Sequence, residues 1–167
     1  MIDAKKRGFT LIELLVTLAV AAILLTVAVP NYQTFVMNSR MVSQANDLIT
    51  AFNMARSEAV KRAANVQVCA GTACPGTNWA QGWIVADAAG NPIRVQQALG
   101  GASTLTPGAD VASTITFTSD GRTTMPTTAT TASTTLTLCP PSPARVQGRA
   151  IQIERTGRTR VSPVACP

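Results

Sequence analysis

Histidine is missing from this 167-residue chain, and aromatic side chains make up only 4% of it. Without histidine there is no Ser-His-Asp or Cys-His nucleophilic site, no His-ligated zinc and no imidazole proton relay. The chain is therefore read as a non-enzyme that needs no cofactor. Seven aromatics, three of them beyond Phe52, leave little from which to build a surface that stacks nucleobases. Charge is scarce as well. Asp, Glu, Lys and Arg account for 13% of residues, about half of the usual 25%, so part of the chain is not built for water. The length admits one domain, or one domain with an appended element.

What is abundant is apolar and unevenly placed. Phe9 to Val29 forms a run whose only charge is Glu13, with Thr10, Thr17 and Thr26 as its other polar members. As a helix rising about 1.5 Å per residue, such a run crosses a hydrocarbon layer of roughly 30 Å. Lys5, Lys6 and Arg7 stand directly before it, and by the positive-inside rule they stay cytoplasmic while everything beyond Pro30 crosses the membrane. A discarded secretory signal is the alternative, but Leu24 to Pro30 offers only a weak A-x-A-like site. A lone carboxylate within the apolar run is costly in lipid and calls for a cationic partner.

The run Lys6-Arg7-Gly8-Phe9-Thr10-Leu11-Ile12-Glu13-Leu14-Leu15-Val16 resembles the type III signal of type IV pilins and type II secretion pseudopilins. The resemblance implies cleavage after Gly8 by a prepilin peptidase and N-methylation of Phe9. It also implies filament assembly with major and minor pilins, in which Glu13 partners the α-amine of Phe9 on a neighbouring subunit. An ammonium and a carboxylate that are each expensive alone in an apolar setting are tolerable together. On this reading residues 1–8 are a leader, 9–35 a transmembrane and filament-core helix, and 36–167 a periplasmic head. The protein then sits in the inner membrane of a Gram-negative cell with a single span, and later in an extracellular pilus. Pro30 falls where the helix of this family bends or locally melts.

Beyond Pro30 the helix is expected to continue to about Arg62. Met41, Ala45, Leu48, Phe52, Ala55 and Ala59 recur at helical spacing as one apolar stripe, and Glu58 and Arg62 can pair on the wet side. Ala63-Ala64-Asn65 reads as its end. The remainder predicts strands at 66–70, 82–86, 92–98, 113–118, 134–139, 149–154 and 158–161. Between Ser113 and Leu138 twelve residues are Thr. That composition suits a glycosylated stalk, or, as preferred here, a half-wet antiparallel strand followed by a loop around Pro126 to Ser133.

Asn78-Trp79-Ala80-Gln81-Gly82-Trp83-Ile84-Val85-Ala86-Asp87 is similar to the head-domain sequence of the GspH/FimT family, which includes pseudopilins and minor pilins. The fold implied is α+β and pilin-like: a long N-terminal helix, half transmembrane and half amphipathic, packed on an antiparallel head of two small sheets. Trp83 is read as a core anchor. Four cysteines on the oxidising side of a membrane suggest two disulfides. Three pairings are possible. Cys69–Cys74 with Cys139–Cys166 is favoured, because the first closes a tight loop and the second ties the last residues back to a strand.

The net charge of +6 is not evenly shared. From Pro140 onward, Arg145, Arg149, Arg155, Arg158 and Arg160 face Glu154 alone. Arginine suits bidentate phosphate contacts. In an extended strand, Arg158 and Arg160 project from one face about 7 Å apart, close to the spacing of successive phosphates on a DNA strand. Gly157-Arg158-Thr159-Arg160 resembles the Gly-Arg-x-Arg motif of the DNA-binding FimT branch of the family. The resemblance implies a minor pilin that binds DNA through Arg158, Arg160 and Gly157 for uptake in natural transformation. Arg155 and Arg149 are second-rank candidates, and Arg145 and Arg122 third. The alternatives are a basic edge strand that resists aggregation, and a structural minor pilin or pseudopilin that primes a filament without touching DNA.

Overall fold

The computed structural model describes residues 8–108, 111, 113–124, 133–142 and 146–166. The leader residues 1–7, Arg145 and residues 126–132 of the Thr-rich loop lie outside the described residues. The chain divides into two units, one ending at Val36 and one beginning at Met37. Among the described residues one α-helix, α1 (Leu11–Arg62), contributes residues to both. Thr10 starts it. Its Oγ1 accepts a hydrogen bond from the Glu13 backbone N–H at 3.3 Å, so Thr10 and Glu13 occupy the N-cap and N3 positions of a capping-box sequence. The Glu13 carboxylate thereby sits near the positive end of the helix dipole.

In the first unit the helix is apolar and exposed, with a mean hydropathy of 2.6 over 18 residues, long and apolar enough to cross a membrane. The local melting expected at Pro30 is absent, since α1 runs through it unbroken. The proline ring fixes a φ that is itself helical, so the cost is one lost hydrogen bond and some crowding. Side chains brace the adjacent turns: Asn31 Nδ2 donates to the Val27 carbonyl and Thr34 Oγ1 to the Pro30 carbonyl, each at 3.0 Å.

In the second unit α1 buries Met41, Ala45, Leu48, Ala51, Phe52, Ala55 and Ala59. This is the expected stripe with Ala51 added. Glu58 on the other side holds Arg62 at 2.7 Å and Lys61 at 3.5 Å. The hydrogen bond from Arg62, with Lys61 adding its charge, holds the Glu58 carboxyl below its ordinary range. The helix ends in a Schellman arrangement, with Ala64 N–H donating to the Ala59 carbonyl and Ala63 N–H to the Val60 carbonyl. Ala63 sits at φ 49°, a position where glycine would be less strained.

Two antiparallel sheets receive the stripe. The first has the order β3-β2-β1-β5-β6, from β1 (Val66–Ala70), β2 (Trp83–Asp87), β3 (Pro92–Gln96), β5 (Thr114–Phe117) and β6 (Thr123–Thr124). The second has the order β4-β7-β8-β9, from β4 (Thr104–Pro107), β7 (Ser133–Cys139), β8 (Gly148–Glu154) and β9 (Thr159–Val164). Their inner side chains, among them Val66, Val68, Val85, Phe117, Leu136, Leu138, Ile151 and Ile153, meet the alanine-rich face of α1 in one core. Phe52 fills the seam against Phe117 with ring centroids 6.3 Å apart. The architecture is the expected long helix on two small antiparallel sheets.

Differences from expectation are local. β4 and β6 were not predicted, β3 stops at Gln96, and β9 runs on through Pro163 to Val164. Proline is tolerated there because β9 is an edge strand with one side unpaired. Trp83 is buried as expected; Trp79, in a 3-10 turn (Trp79–Gln81) capped by Asn78, is buried as well. Disulfides join Cys69 to Cys74 and Cys139 to Cys166.

Candidate functional site

The arginine-rich segment is organised by a tight hairpin between β8 and β9. Glu154 N–H donates to the Arg158 carbonyl and Gly157 N–H to the Glu154 carbonyl, both at 2.9 Å, leaving Arg155-Thr156-Gly157 as the loop. Gly157 takes φ +75°, the left-handed residue that closes three-residue hairpins of this kind. Arg155 is exposed at the tip and Arg158 is exposed where the chain enters β9. Arg160 stands opposite Gln152, and its Nε lies 3.2 Å from Glu154 Oε1. That pair is open to solvent, so it is worth at most about 1 kcal/mol and leaves Arg160 able to change partner.

The β5–β6 hairpin has the same design. Gly121 N–H donates to the Thr118 carbonyl and Thr118 N–H to the Arg122 carbonyl, each at 2.8 Å, with Gly121 at φ +77°. Both loops therefore end in Gly-Arg: Gly121-Arg122 and Gly157-Arg158. Asp120 is engaged within its own loop, accepting from Thr118 Oγ1 and from the Arg122 N–H. The Thr118 hydroxyl above all, then the Arg122 N–H, holds its carboxyl below the ordinary range and keeps it charged.

The two loops are stitched together across the sheets. Thr123 N–H donates to the Arg155 carbonyl at 3.0 Å and Thr123 Oγ1 to the Glu154 carbonyl at 2.9 Å. A methyl group added at Gly157 would collide with the Gly121 carbonyl and come within 3.2 Å of Arg56 Nε. Gly157→Ala is accordingly expected to destabilise the head by about 1–3 kcal/mol, from strain at positive φ combined with the backbone clash. Urea unfolding of the head is the measurement.

This packing gathers Arg122, Arg155, Arg158 and Arg160, all exposed, around twin turns with Arg56 of α1 beside them. Thr156, Gln152 and Ser133 help to line a shallow groove of about 250 Å³ between Arg155 and Arg160. Arg149 is elsewhere. Its Nη2 donates to Asn38 Oδ1 of α1 at 3.1 Å, and six strand positions, about 20 Å, separate it from Arg155. Arg122, a third-rank candidate on sequence, thus joins the cluster, and second-rank Arg149 stands apart from it. Arg56 was missed entirely, since nothing in a helical sequence tells which distant turn it will cover. Phe9 is exposed and Glu13 lies in the first turn of α1.

The family model described as type II transport protein GspH matches residues 44–157. The prokaryotic N-terminal methylation motif matches residues 3–29. No curated protein matches the chain. Among solved structures, two crystal forms of the type IV minor pilin FimU from Pseudomonas aeruginosa PAO1 are similar in fold at 23% sequence identity. One has a TM-score of 0.55, with the match covering 72% of this chain and 91% of the crystallised one; the other has 0.59, with 77% and 92%. A methylation motif, an apolar helix fit for a membrane anchor and a helix-on-two-sheets head occur here in one polypeptide, and the chain belongs to the GspH family of pilin-like proteins.

Proposed function

We propose that this protein is a minor type IV pilin of the FimT kind that binds DNA for uptake in natural transformation. Its leader ends at Gly8, Phe9 becomes the methylated N-terminus, and Glu13 partners that amine in a neighbouring pilin. The apolar half of α1 anchors the subunit in the inner membrane until it enters the filament, with the head on the periplasmic side. The observation that carries the reading is the gathering of Arg122, Arg155, Arg158 and Arg160 at twin Gly-Arg turns, where Glu154 pairs with Arg160 and Asp120 is bonded within its own loop.

Guanidinium groups on turns grip phosphates and do not enter a groove to read bases, so recognition ignores sequence. Both tryptophans, Phe52 and Phe117 are buried, so the head presents none of them as a stacking platform for single strands. Titration of labelled duplex with residues 36–167 is expected to show modest affinity. With three phosphates neutralised, that affinity should fall roughly 40-fold between about 50 and 200 mM salt. No binding at low salt would sink the proposal. The likeness of the fold to FimU favours a second reading, a structural minor pilin or pseudopilin that helps assemble a filament. Under that reading, loss of the gene removes pili or secretion; under the first, transformation is lost while pili remain.

A further inference from the structure

We infer that Arg56 of α1 is a phosphate-binding arm of the twin-turn surface, and that the DNA path continues from the turns onto the helix. This inference rests on the DNA-binding reading above. Arg56 lies over both turn glycines: a methyl group at Gly121 or at Gly157 would come within 3.2 Å of its Nε. The two positive-φ glycines leave the space that its side chain fills, while the residue stays exposed. Among the described residues no carboxylate forms an ion pair with it. Glu58 is engaged by Arg62 and Lys61, Glu154 by Arg160, and Asp120 by its own loop. The helix neighbours of Arg56 at three and four residues are Phe52, Asn53, Ala59 and Val60, none of them acidic.

The surface beside Arg56 is furnished for an anion. Asn53, Ser57 and Lys61 lie along the same side of α1 and, with Val60, line an open groove of about 560 Å³. The Asn53 amide and the exposed Lys61 ammonium, whose 3.5 Å pair with Glu58 is open to solvent, thus flank the guanidinium along successive turns of the helix, while the Ser57 hydroxyl donates to the Met54 carbonyl at 2.9 Å. A purely structural arginine covering two glycines would need its stem but not these donors or an uncompensated charge. The ligand class is a nucleic-acid backbone, because successive donors on several elements suit a run of phosphates better than a single anion.

The test uses the full chain in non-ionic detergent with labelled duplex at two salt concentrations, comparing the parent, Arg56→Gln, Arg56→Lys and the Arg158→Gln/Arg160→Gln pair. Arg56→Gln is expected to weaken binding several-fold and to reduce the salt slope by about 1, with Arg56→Lys restoring the slope. Thermal unfolding of each variant reports the structural role separately. If Arg56→Gln keeps both affinity and slope while the double variant loses binding, the inference is overturned and the DNA reading stands. If Arg56→Lys fails to restore the slope, the role is packing and the inference is equally overturned. A parent that binds no DNA overturns both.

Discussion

Arg158→Gln combined with Arg160→Gln is expected to abolish the DNA shift of the head while leaving its fold intact. Neither side chain helps to hold the core. Arg158 is exposed just before β9, and Arg160 is exposed with a solvent-open partner, Glu154. Surface changes of this sort usually shift stability by no more than about 0.5 kcal/mol. The effect on binding is larger, because two phosphate contacts are lost and Glu154 is left uncompensated next to the path of the nucleic acid. Removing two contacts lowers the salt slope by roughly 2. From an affinity that is modest at the outset, that takes the complex out of range of a shift assay. Circular dichroism and thermal unfolding of the variant should overlay the parent. A double variant that binds as the parent does would show the site to be wrong.

Cys139→Ser combined with Cys166→Ser is expected to cost more stability than the other changes considered. The bridge closes a loop of 27 residues, for which chain entropy in the unfolded state gives about 3–4 kcal/mol. For a head of this size that corresponds to a fall of about 10–15 °C in the unfolding temperature. The local consequence is more specific. β9 is an edge strand paired only with β8, and the disulfide stands just beyond its last paired residue, Val164. Without the bridge, β9 frays from Val164 towards Thr159, and the hairpin that presents Arg155 and Arg158 loses one of its two legs. Unfolding temperature and DNA affinity should therefore fall together. A shift below about 3 °C would show that the β8–β9 ladder holds without the clamp.

Much of the fold was legible because its determinants are periodic. The stripe from Met41 to Ala59 repeats at helical spacing and is buried as such, and alternation in Thr114 to Phe117 and in Thr134 to Leu138 marked strands on one wet and one dry face. β4 and β6 were illegible for a physical reason. Thr104–Pro107 carries one buried side chain, Leu105, and ends in proline, while β6 is two residues long and exists by pairing with Thr116 and Phe117. Neither has a pattern of its own. At Pro30 the helix does not melt, because the proline φ is itself helical and one backbone hydrogen bond is all that its missing N–H removes.

The candidate site was legible in part. Arg155, Arg158 and Arg160 are close in sequence, so counting charge along the chain was enough to find them. Arg122 lies 33 residues before Arg155, and Arg56 is further off still. Their arrival at the same place depends on two turns of identical design packing glycine against glycine. The Gly-Arg dipeptide occurs twice, but two residues are too short a repeat to signify without the hydrogen bonds that frame each loop.

The stitching of the turns by Thr123 has a mechanical consequence. A polymer pulled while attached to an edge strand would peel that strand away one hydrogen bond at a time, each bearing the whole load in turn. Here the attachment point is cross-linked to the other sheet by two hydrogen bonds to Glu154 and Arg155 and is covered by a helix side chain. Tension applied at the hairpin tip is divided between both sheets and the helix before any ladder begins to open. The head is thereby built to resist pulling at the point where its proposed cargo would be tethered.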